Sequence, residues 1–261
     1  MRKRELFLEQ AERSFVENGI KLFHYASVDS TNKRAAEYAR EGGECPALFW
    51  ADAQTAGSGR LGRSFFSPDK TGLYMTLLTE ISGSEKSFAL LTSLAAVCMR
   101  ETIVQTLGVD VKIKWVNDLY FEGKKVAGIL AQSFFCGERR FVSLGVGVNI
   151  STCDFPTELE DKAGSLLEAS GEDIEELKKD MALLFCQKII AALGADSHGQ
   201  YMESYRQNSC VIGRRVTFCQ NGVEYVGRAD GITDAGGLEI LLDTGERMTL
   251  SSGEISIFVD R

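Results

Sequence analysis

The sequence predicts an α+β protein in which a mixed or antiparallel sheet is flanked by helices and followed by a small all-β domain. Segments rich in β-branched residues recur between residues 47 and 148, and segments 85–107 and 172–193 have helical periodicity. After residue 209, frequent glycines separate short alternating segments, which is typical of a small β-barrel or sandwich. We therefore expect a main domain over residues 1–209 and an all-β domain over residues 210–261.

The N-terminal part contains two predicted helices and one predicted strand. Apolar residues at positions 6, 8, 11 and 15 predict a short first helix. The run Asp29-Ser30-Thr31-Asn32 consists of helix-capping residue types, so a second helix is expected to start there and to end before Gly42-Gly43. The apolar run Ala47–Asp52 predicts a strand that leads into a glycine-rich loop.

The remaining strands follow from short apolar runs bounded by turn residues. Glu122-Gly123-Lys124 has the composition of a hairpin turn between two of them. The predicted strands are 72–79, 111–115, 119–121, 126–132 and 141–148 in the main domain, and 216–218, 238–242 and 255–259 in the second domain.

Composition and charge exclude several classes of protein. The 261 residues carry a net charge of −8, which argues against nucleic acid as the main partner. The N-terminus lacks the apolar stretch of a signal peptide, and no apolar run is expected to span a membrane, so we predict a cytoplasmic protein without a membrane partner. Seven scattered cysteines and two histidines have no zinc-ligand spacing, which predicts free thiols and no metal site.

The loop Gly57-Ser58-Gly59-Arg60-Leu61-Gly62-Arg63 is the most informative segment of the chain. Glycines allow the backbone to approach a ligand, and arginines supply donors that match carboxylate and phosphate oxygens, so the loop predicts an anion site. The glycine spacing also fits a dinucleotide-binding fingerprint, but Pro68 and Gly72 make the helix that this motif requires improbable. A mobile surface turn is the remaining alternative.

Three further segments are candidates for the same site. Asp29-Ser30-Thr31-Asn32 either caps a helix or offers polar groups to a ligand. In 114–130, Asn117-Asp118 is either a turn or part of a site, and Lys125 is either a solvated surface lysine or a ligand contact. Gly128, Gly145 and Gly147 interrupt apolar strands, which indicates either a twisted strand or close approach of a ligand.

Taken together, these segments resemble the biotin protein ligases. The likeness lies in D-S-T-N at 29–32, Q-T-A-G-S-G-R-L-G-R at 54–63, K-W-V-N-D-L at 114–119, K-V-A-G-I-L at 125–130 and G-V-G-V-N at 145–149, in the family's order. The resemblance implies a class II synthetase-like ligase domain with a C-terminal SH3-like barrel. It also implies that biotin and ATP form biotinyl-5′-adenylate, and that biotin is then transferred to a lysine of a biotin carboxyl carrier protein.

The resemblance also assigns roles to individual residues. Lys125 and Arg60 are implied to be catalytic, together with Asp118, which would support a metal or assist the incoming lysine; Mg²⁺ is expected with ATP, without a dedicated protein metal site. The biotin-binding residues implied are Ser30, Thr31, Asn32, Gln54, Gly57, Ser58, Gly59, Arg60, Lys125, Gly128, Gly145 and Gly147. The ATP-binding residues implied are Arg60, Arg63, Phe65, Asn117, Lys125 and Asn149, with Phe65 over the adenine and Asn149 on the adenine or ribose side.

Two departures and two alternatives accompany this interpretation. Ser58 stands where the family usually has arginine, which predicts weaker retention of the adenylate. The ligase motifs begin at residue 29, so we expect no DNA-binding repressor domain. A lipoate or octanoate ligase and a non-catalytic biotin-binding protein are the alternatives. A homodimer, formed through exposed strands of the main sheet, is a further expectation.

Overall fold

The computed structural model describes residues 2–81, 88–168 and 174–258. Five helices and twelve strands lie in these ranges. The helices are α1 (Arg2–Glu17), α2 (Thr31–Arg40), α3 (Phe88–Leu107), α4 (Ile174–Gly194) and α5 (Gly199–Gln207). The strands are β1 (Lys21–Tyr25), β2 (Ala47–Ala51), β3 (Gly72–Glu80), β4 (Lys112–Lys114), β5 (Asp118–Phe121), β6 (Lys124–Cys136), β7 (Arg139–Asn149), β8 (Arg215–Gln220), β9 (Val223–Ile232), β10 (Leu238–Leu242), β11 (Arg247–Leu250) and β12 (Ser256–Ile257).

The first seven strands form one mixed sheet, as the sequence predicts. Their order is β1-β2-β3-β7-β6-β5-β4, and only the β1–β2 pair is parallel. Two-residue loops suit the antiparallel pairs: Glu122 and Gly123 both have positive φ between β5 and β6, as a tight hairpin turn requires. The sheet therefore brings the predicted site segments, which are far apart in sequence, onto neighbouring strands.

The two faces of this sheet differ because side chains alternate along each strand. On β2, Leu48 and Trp50 belong to the large core formed with α3 and α4, whereas Ala47 and Phe49 pack with α2 on the opposite face. On β7, residues 142, 144, 146 and 148 face the large core. The alternate positions include Gly145 and Gly147, so the α2 face of the sheet lacks side chains at that point.

Helix α3 corrects one expectation from the sequence. Its segment Ala89–Leu107 is long and apolar enough to cross a membrane by length and composition, contrary to the prediction that no segment would be. Most of this segment is buried inside the protein, where it packs against α4 and α5. Its apolarity is therefore that of a core helix, since both of its sides contact protein.

The C-terminal segment forms a five-stranded antiparallel sheet in the order β11-β10-β9-β8-β12, which confirms the predicted all-β region. Sequence patterns missed β1, α5, β9 and β11, and the predicted strand over 255–259 is only Ser256–Ile257. The predicted ends at 85–87, 172–173 and 259 lie outside the described residues. All seven cysteines are free; Cys98 and Cys186 are buried, whereas Cys153 and Cys219 are exposed.

The C-terminal sheet is joined to the main sheet through Trp115. Its buried indole Nε1 donates a hydrogen bond of 2.9 Å to the carbonyl oxygen of Gly236, and the Tyr205 hydroxyl donates one of 3.2 Å to the carbonyl of Val116. Both contacts fix the main chain just before Asn117 and Asp118. The second domain therefore helps to position a predicted site segment.

We expect Trp115→Phe to lower the free energy of unfolding by about 1–3 kcal/mol, because it leaves the buried Gly236 carbonyl without its donor. Denaturant unfolding measures this change. Trp50→Phe is a matched control, since the Trp50 Nε1 is buried without a hydrogen-bond partner among the described residues and its removal costs no bond. Equal losses in the two variants would contradict the prediction.

Candidate active site

A cavity of about 1060 Å³ lies over the main sheet where Gly128, Gly145 and Gly147 occupy β6 and β7. It is walled by the glycine-arginine loop, the segments around Asn117 and Lys125, the strand residues around Gly147, and the C-terminal domain. Of the sequence-predicted site residues, those that line it are Thr31, Asn32, Gln54, Ser58, Gly59, Arg60, Arg63, Phe65, Asn117, Asp118, Lys125, Gly128, Gly145 and Gly147. Fourteen predicted residues from five separate segments thus share one cavity.

The glycine-arginine loop folds back on itself instead of opening a helix. The Gly59 amide donates to the Arg63 carbonyl at 2.7 Å, and the Phe65 amide donates to the Gly57 carbonyl at 2.8 Å. Between them is only a short 3₁₀ turn, Arg60–Gly62, and the chain then enters β3. The dinucleotide-binding alternative fails here, because it requires a helix directly after the glycines.

Both arginines of this loop reach other parts of the site. Arg60 Nη1 donates to Asn117 Oδ1 at 3.0 Å, and the Asn117 amide nitrogen donates to the Ile129 carbonyl at 3.0 Å. Arg63 pairs with Glu254 of the C-terminal domain. The loop is therefore tied to the main sheet by one arginine and to the second domain by the other.

Segment 29–32 leads into α2, and the hydroxyl groups of Ser30 and Thr31 contact other predicted site residues. Ser30 occupies the N-cap position without a side-chain capping bond, and its Oγ lies 3.3 Å from Ser58 Oγ. Gln54 Oε1 accepts hydrogen bonds from the Thr31 amide at 2.9 Å and the Thr31 hydroxyl at 3.1 Å. Gln54 Nε2 in turn donates to Ser67 Oγ at 3.0 Å, so this amide has a fixed orientation.

Near the start of α2, the Asp29 carboxylate forms ion pairs with two positively charged side chains. Asp29 accepts bonds from the side chains of Lys33 and Arg34 and from the Ser30 amide. The Lys33 ammonium is the main cause that lowers the pKa of the Asp29 carboxyl to about 2, although partial burial opposes it. Asp29 thus remains ionised at neutral pH and holds the helix start.

The glycines of the sheet floor give room to two site side chains. A Cβ atom on Gly145 would lie 2.3 Å from Nδ2 of Asn32, and a Cβ atom on Gly147 would lie 2.4 Å from Cε1 of the Phe65 ring. Real Cβ atoms do not approach other atoms this closely. A side chain at either position would displace Asn32 or Phe65, so the close approach at these glycines is made by protein side chains, and the close approach of a ligand stays a prediction.

Lys125 and Asp118 form an ion pair at the edge of the cavity. Their Nζ and Oδ1 atoms are 2.7 Å apart, and both side chains are partly exposed. Nearby, burial is the main cause that raises the pKa of the Tyr120 hydroxyl to about 12, and the negative charge of Asp118 acts in the same direction. Tyr120 therefore stays protonated at neutral pH and lines the cavity beside this ion pair.

Three predicted site residues do not line the cavity. Ser30 and Gly57 lie directly behind lining residues, and Ser30 is buried. Asn149 is also buried, and its amide nitrogen donates to the Gly164 carbonyl at 3.1 Å. Its Oδ1 is buried without a hydrogen-bond partner among the described residues, and the predicted contact of Asn149 with the adenine or ribose stays a prediction.

Several lining residues were missed by the sequence analysis. Leu159 and Lys162 come from a connecting segment with no recognisable motif, whereas Lys114 and Tyr120 lie inside the predicted segment 114–130 but were given no individual role. The C-terminal domain contributes Thr217, Phe218, Cys219, Gly222, Glu224, Gly253, Glu254, Ile255 and Ser256. In this domain, the alternation of apolar and polar residues over 216–218 predicts a strand, but it does not indicate which part of the protein that strand faces.

The cavity is more basic than the protein as a whole. Arg60, Arg63, Lys114, Lys125 and Lys162 line it, against the carboxylates of Asp118, Glu224 and Glu254. No group of three or more His, Cys, Asp or Glu side chains suited to a metal occurs in the described ranges. Mg²⁺ usually takes only one or two carboxylates when phosphates supply further oxygens, and Asp118 fits that role.

The comparisons with known proteins agree with this geometry. Residues 25–149 match the model of the Biotin/lipoate A/B protein ligase family, which defines the class of the main domain. Residues 211–257 match the Biotin protein ligase C terminal domain, which is SH3-like.

Individual relatives narrow the class. The chain is 35% identical to the bifunctional ligase/repressor BirA of Bacillus subtilis over 87% of this chain and 71% of that protein. It is 28% identical to the biotin–[acetyl-CoA-carboxylase] ligase of Mycobacterium tuberculosis, over 88% of this chain and 86% of that one. A solved biotin protein ligase from Aquifex aeolicus, in complex with biotin and ATP, superimposes with a TM-score of 0.76 at 26% identity, covering 92% of this chain and 99% of that one. The chain belongs to the biotin protein ligase family.

Proposed function

We propose that this chain activates biotin with ATP and transfers the biotinyl group to a lysine of a carrier protein. In the first step a biotin carboxylate oxygen attacks the α-phosphorus, and pyrophosphate leaves. In the second step the carrier amine attacks the biotinyl carbonyl carbon and loses a proton, and AMP leaves. The observation that carries this proposal is the convergence of Gln54, Arg60 and Lys125 on a single cavity.

The site residues fit the two substrates as follows. The fixed amide of Gln54 and the hydroxyl of Thr31 suit the ureido ring of biotin, and Gly145 and Gly147 leave room on the sheet for Asn32 and Phe65 beside it. Lys125 lies where it can bring two negatively charged groups together, since an ammonium offsets their repulsion and stabilises charge on the phosphoryl oxygens. Mg²⁺ bound to ATP supplies further charge neutralisation.

Arg60 is the second cation of the reaction. Its guanidinium donates to Asn117 and lines the cavity, which supports a role in contacting phosphate or carboxylate oxygens with directed hydrogen bonds. Arg63 acts differently, because its ion pair with Glu254 links the loop to the C-terminal domain. We assign Arg63 to closing the cavity around ATP.

The finer assignments are part of the same proposal. The domain boundary near residue 210 separates the ligase domain from the C-terminal sheet. The partner is a biotin carboxyl carrier protein, such as that of acetyl-CoA carboxylase, in the cytoplasm. A homodimer would pair through edge strand β1 of the main sheet, because residues 208–210 bond to the outer edge of β4. Analytical ultracentrifugation with and without biotin and ATP measures the oligomeric state.

Pyrophosphate exchange tests the proposed function. The purified protein is incubated with Mg·ATP and labelled pyrophosphate in the presence of biotin, lipoate or octanoate. Label should enter ATP with biotin, and mass spectrometry should detect biotinyl-5′-AMP retained by the protein. Exchange with lipoate or octanoate but not with biotin would identify that acid, and not biotin, as the substrate. Absence of exchange with all three acids would refute the proposal that the protein activates a carboxylic acid.

Ser58 is expected to weaken retention of the adenylate. Its Oγ lies on the cavity wall, 3.3 Å from Ser30 Oγ, so a longer cationic side chain at this position would reach into the cavity. We expect Ser58→Arg to slow release of biotinyl-5′-AMP by about tenfold, the effect of one added charge-assisted hydrogen bond. Filter binding of labelled adenylate measures release, and Ser58→Ala is the control; faster release from the arginine variant would contradict the prediction.

A further inference from the structure

Thr76 carries a buried hydroxyl on the α2 face of the main sheet. It lies in β3 opposite Gly145 of β7, and Leu78, two residues further along the strand, packs with α2. The residue has no exposed surface and does not line the cavity. A hydroxyl buried in this way is expected to have a hydrogen-bond partner. That partner indicates which part of the site Thr76 supports.

The Thr76 hydroxyl begins a chain of side-chain hydrogen bonds. Its Oγ1 donates to Thr31 Oγ1 at 2.8 Å, and Thr31 Oγ1 donates to Gln54 Oε1 at 3.1 Å. Gln54 Nε2 then donates to Ser67 Oγ at 3.0 Å, and Ser67 Oγ donates to the Phe65 carbonyl at 3.0 Å. The donors therefore all point the same way along the chain, from β3 to the segment that carries Phe65.

The direction of this chain decides which groups Thr31 and Gln54 have left for a ligand. A hydroxyl has one proton and two lone pairs. The Thr31 proton goes to Gln54 and one lone pair accepts from Thr76, so a lone pair is what remains on Thr31. Gln54 Oε1 accepts from both the amide and the hydroxyl of Thr31, so what remains on Gln54, within the part of the chain that the structure describes, is the second Nε2 hydrogen.

The remaining acceptor and donor match a ureido group. Thr31 and Gln54 both line the cavity. A ureido group has N–H donors beside a carbonyl acceptor, whereas the alkyl end of octanoate has neither. If the Thr76 donor were absent, the Thr31 hydroxyl would lose the bond that sets its direction, and its proton would no longer be committed to Gln54.

We propose that Thr76 is a positioning residue that adapts the site to an acid with a ureido ring. Thr76 acts through Thr31, because its donated proton turns the Thr31 proton towards Gln54 and leaves Thr31 as an acceptor for a ureido N–H. This inference rests on the proposed function, in which Thr31 and Gln54 contact the ureido ring. It adds a residue that does not touch the substrate and that affects binding of biotin but not binding of ATP.

Thr76→Val tests the proposal, since valine keeps the shape of the side chain and lacks the hydroxyl. Titration calorimetry gives the dissociation constant for biotin without nucleotide, and pyrophosphate exchange gives kcat and both KM values. We expect the dissociation constant and the KM for biotin to rise about tenfold, as for one lost buried hydrogen bond. The KM for ATP and kcat should not change. Desthiobiotin, which keeps the ureido ring and lacks the sulfur atom, should lose the same factor as biotin.

Two further variants separate positioning from a general effect on folding. Thr76→Ser retains the hydroxyl, so it should bind biotin as the wild type does. Thr102→Val is the matched control, because Thr102 is also buried and its hydroxyl donates to the Cys98 carbonyl at 2.8 Å within α3, away from the cavity lining. It should leave every constant unchanged.

Specific results would overturn the inference. Unchanged biotin binding by Thr76→Val would refute it, and so would an equal loss in Thr76→Ser, because the hydroxyl would then not be the cause. A matching rise in the KM for ATP, or a fall in kcat alone, would show a general disturbance of the fold instead of positioning of Thr31. The wild type tests the proposed function separately: without biotin-dependent exchange, that function fails and this inference fails with it.

Discussion

Lys125→Ala is expected to raise the activation free energy of adenylate formation by about 2–4 kcal/mol, which lowers the rate about 30- to 1000-fold. The ammonium lies at the cavity edge, 2.7 Å from Asp118, on a strand that two neighbouring segments hold in place. Without it, the carboxylate of biotin and the phosphate of ATP repel each other with one cation fewer. Single-turnover formation of biotinyl-5′-AMP measures the effect.

Lys112→Ala is the matched control for this experiment. Lys112 is exposed on β4, pairs with Asp110 and is absent from the cavity lining, so its removal takes away the same charge from the protein without touching the site. A wild-type rate for Lys125→Ala would show that Lys125 has no role in adenylate formation. An equal loss in both variants would show that the loss comes from the net charge of the protein and not from a contact in the site.

Gly147→Val is expected to weaken biotin binding by about 1–3 kcal/mol, or about 5- to 150-fold, because overpacking a filled site costs that much. Even a single Cβ atom at position 147 would lie 2.4 Å from the Phe65 ring, so either the ring or strand β7 must move, and the shape of the cavity changes. Isothermal titration with biotin, in the absence of ATP, measures the loss.

Gly194→Val provides the comparison for the glycine variant. Gly194 ends α4, and an added Cβ there would meet no atom within 4 Å. This variant should bind biotin as the wild type does. Unchanged biotin binding by Gly147→Val would instead mean that the floor of the cavity does not contact biotin.

The predicted site residues that line the cavity are those with a chemical pattern of their own. Gly145 and Gly147 interrupt an apolar strand, which indicated a close approach at this point; in the structure the side chains of Asn32 and Phe65 make that approach. Arg60 stood out because arginine is unusual between glycines. In each case the sequence violated a simple rule of secondary structure, and the violation coincided with the cavity.

The parts that sequence reasoning missed depend on contacts between distant segments. Segment 162–164 has no motif, and its pairing with Lys125 follows from where β7 ends. Likewise, nothing in residues 217–219 or 253–256 indicates a cavity wall, because their role arises from how the second domain sits on the first. Asn149 illustrates the limit, because its motif indicates a ligand contact but not the bond from its amide nitrogen to the Gly164 carbonyl.

The ion pair between Arg63 and Glu254 joins a loop of one domain to the tail of the other across the mouth of the cavity. A mixed anhydride is readily hydrolysed, so an enzyme that makes one must keep water from it until the acceptor arrives. Because the C-terminal domain supplies part of the cavity wall, loss of its contact with the loop would expose the activated product to the solvent.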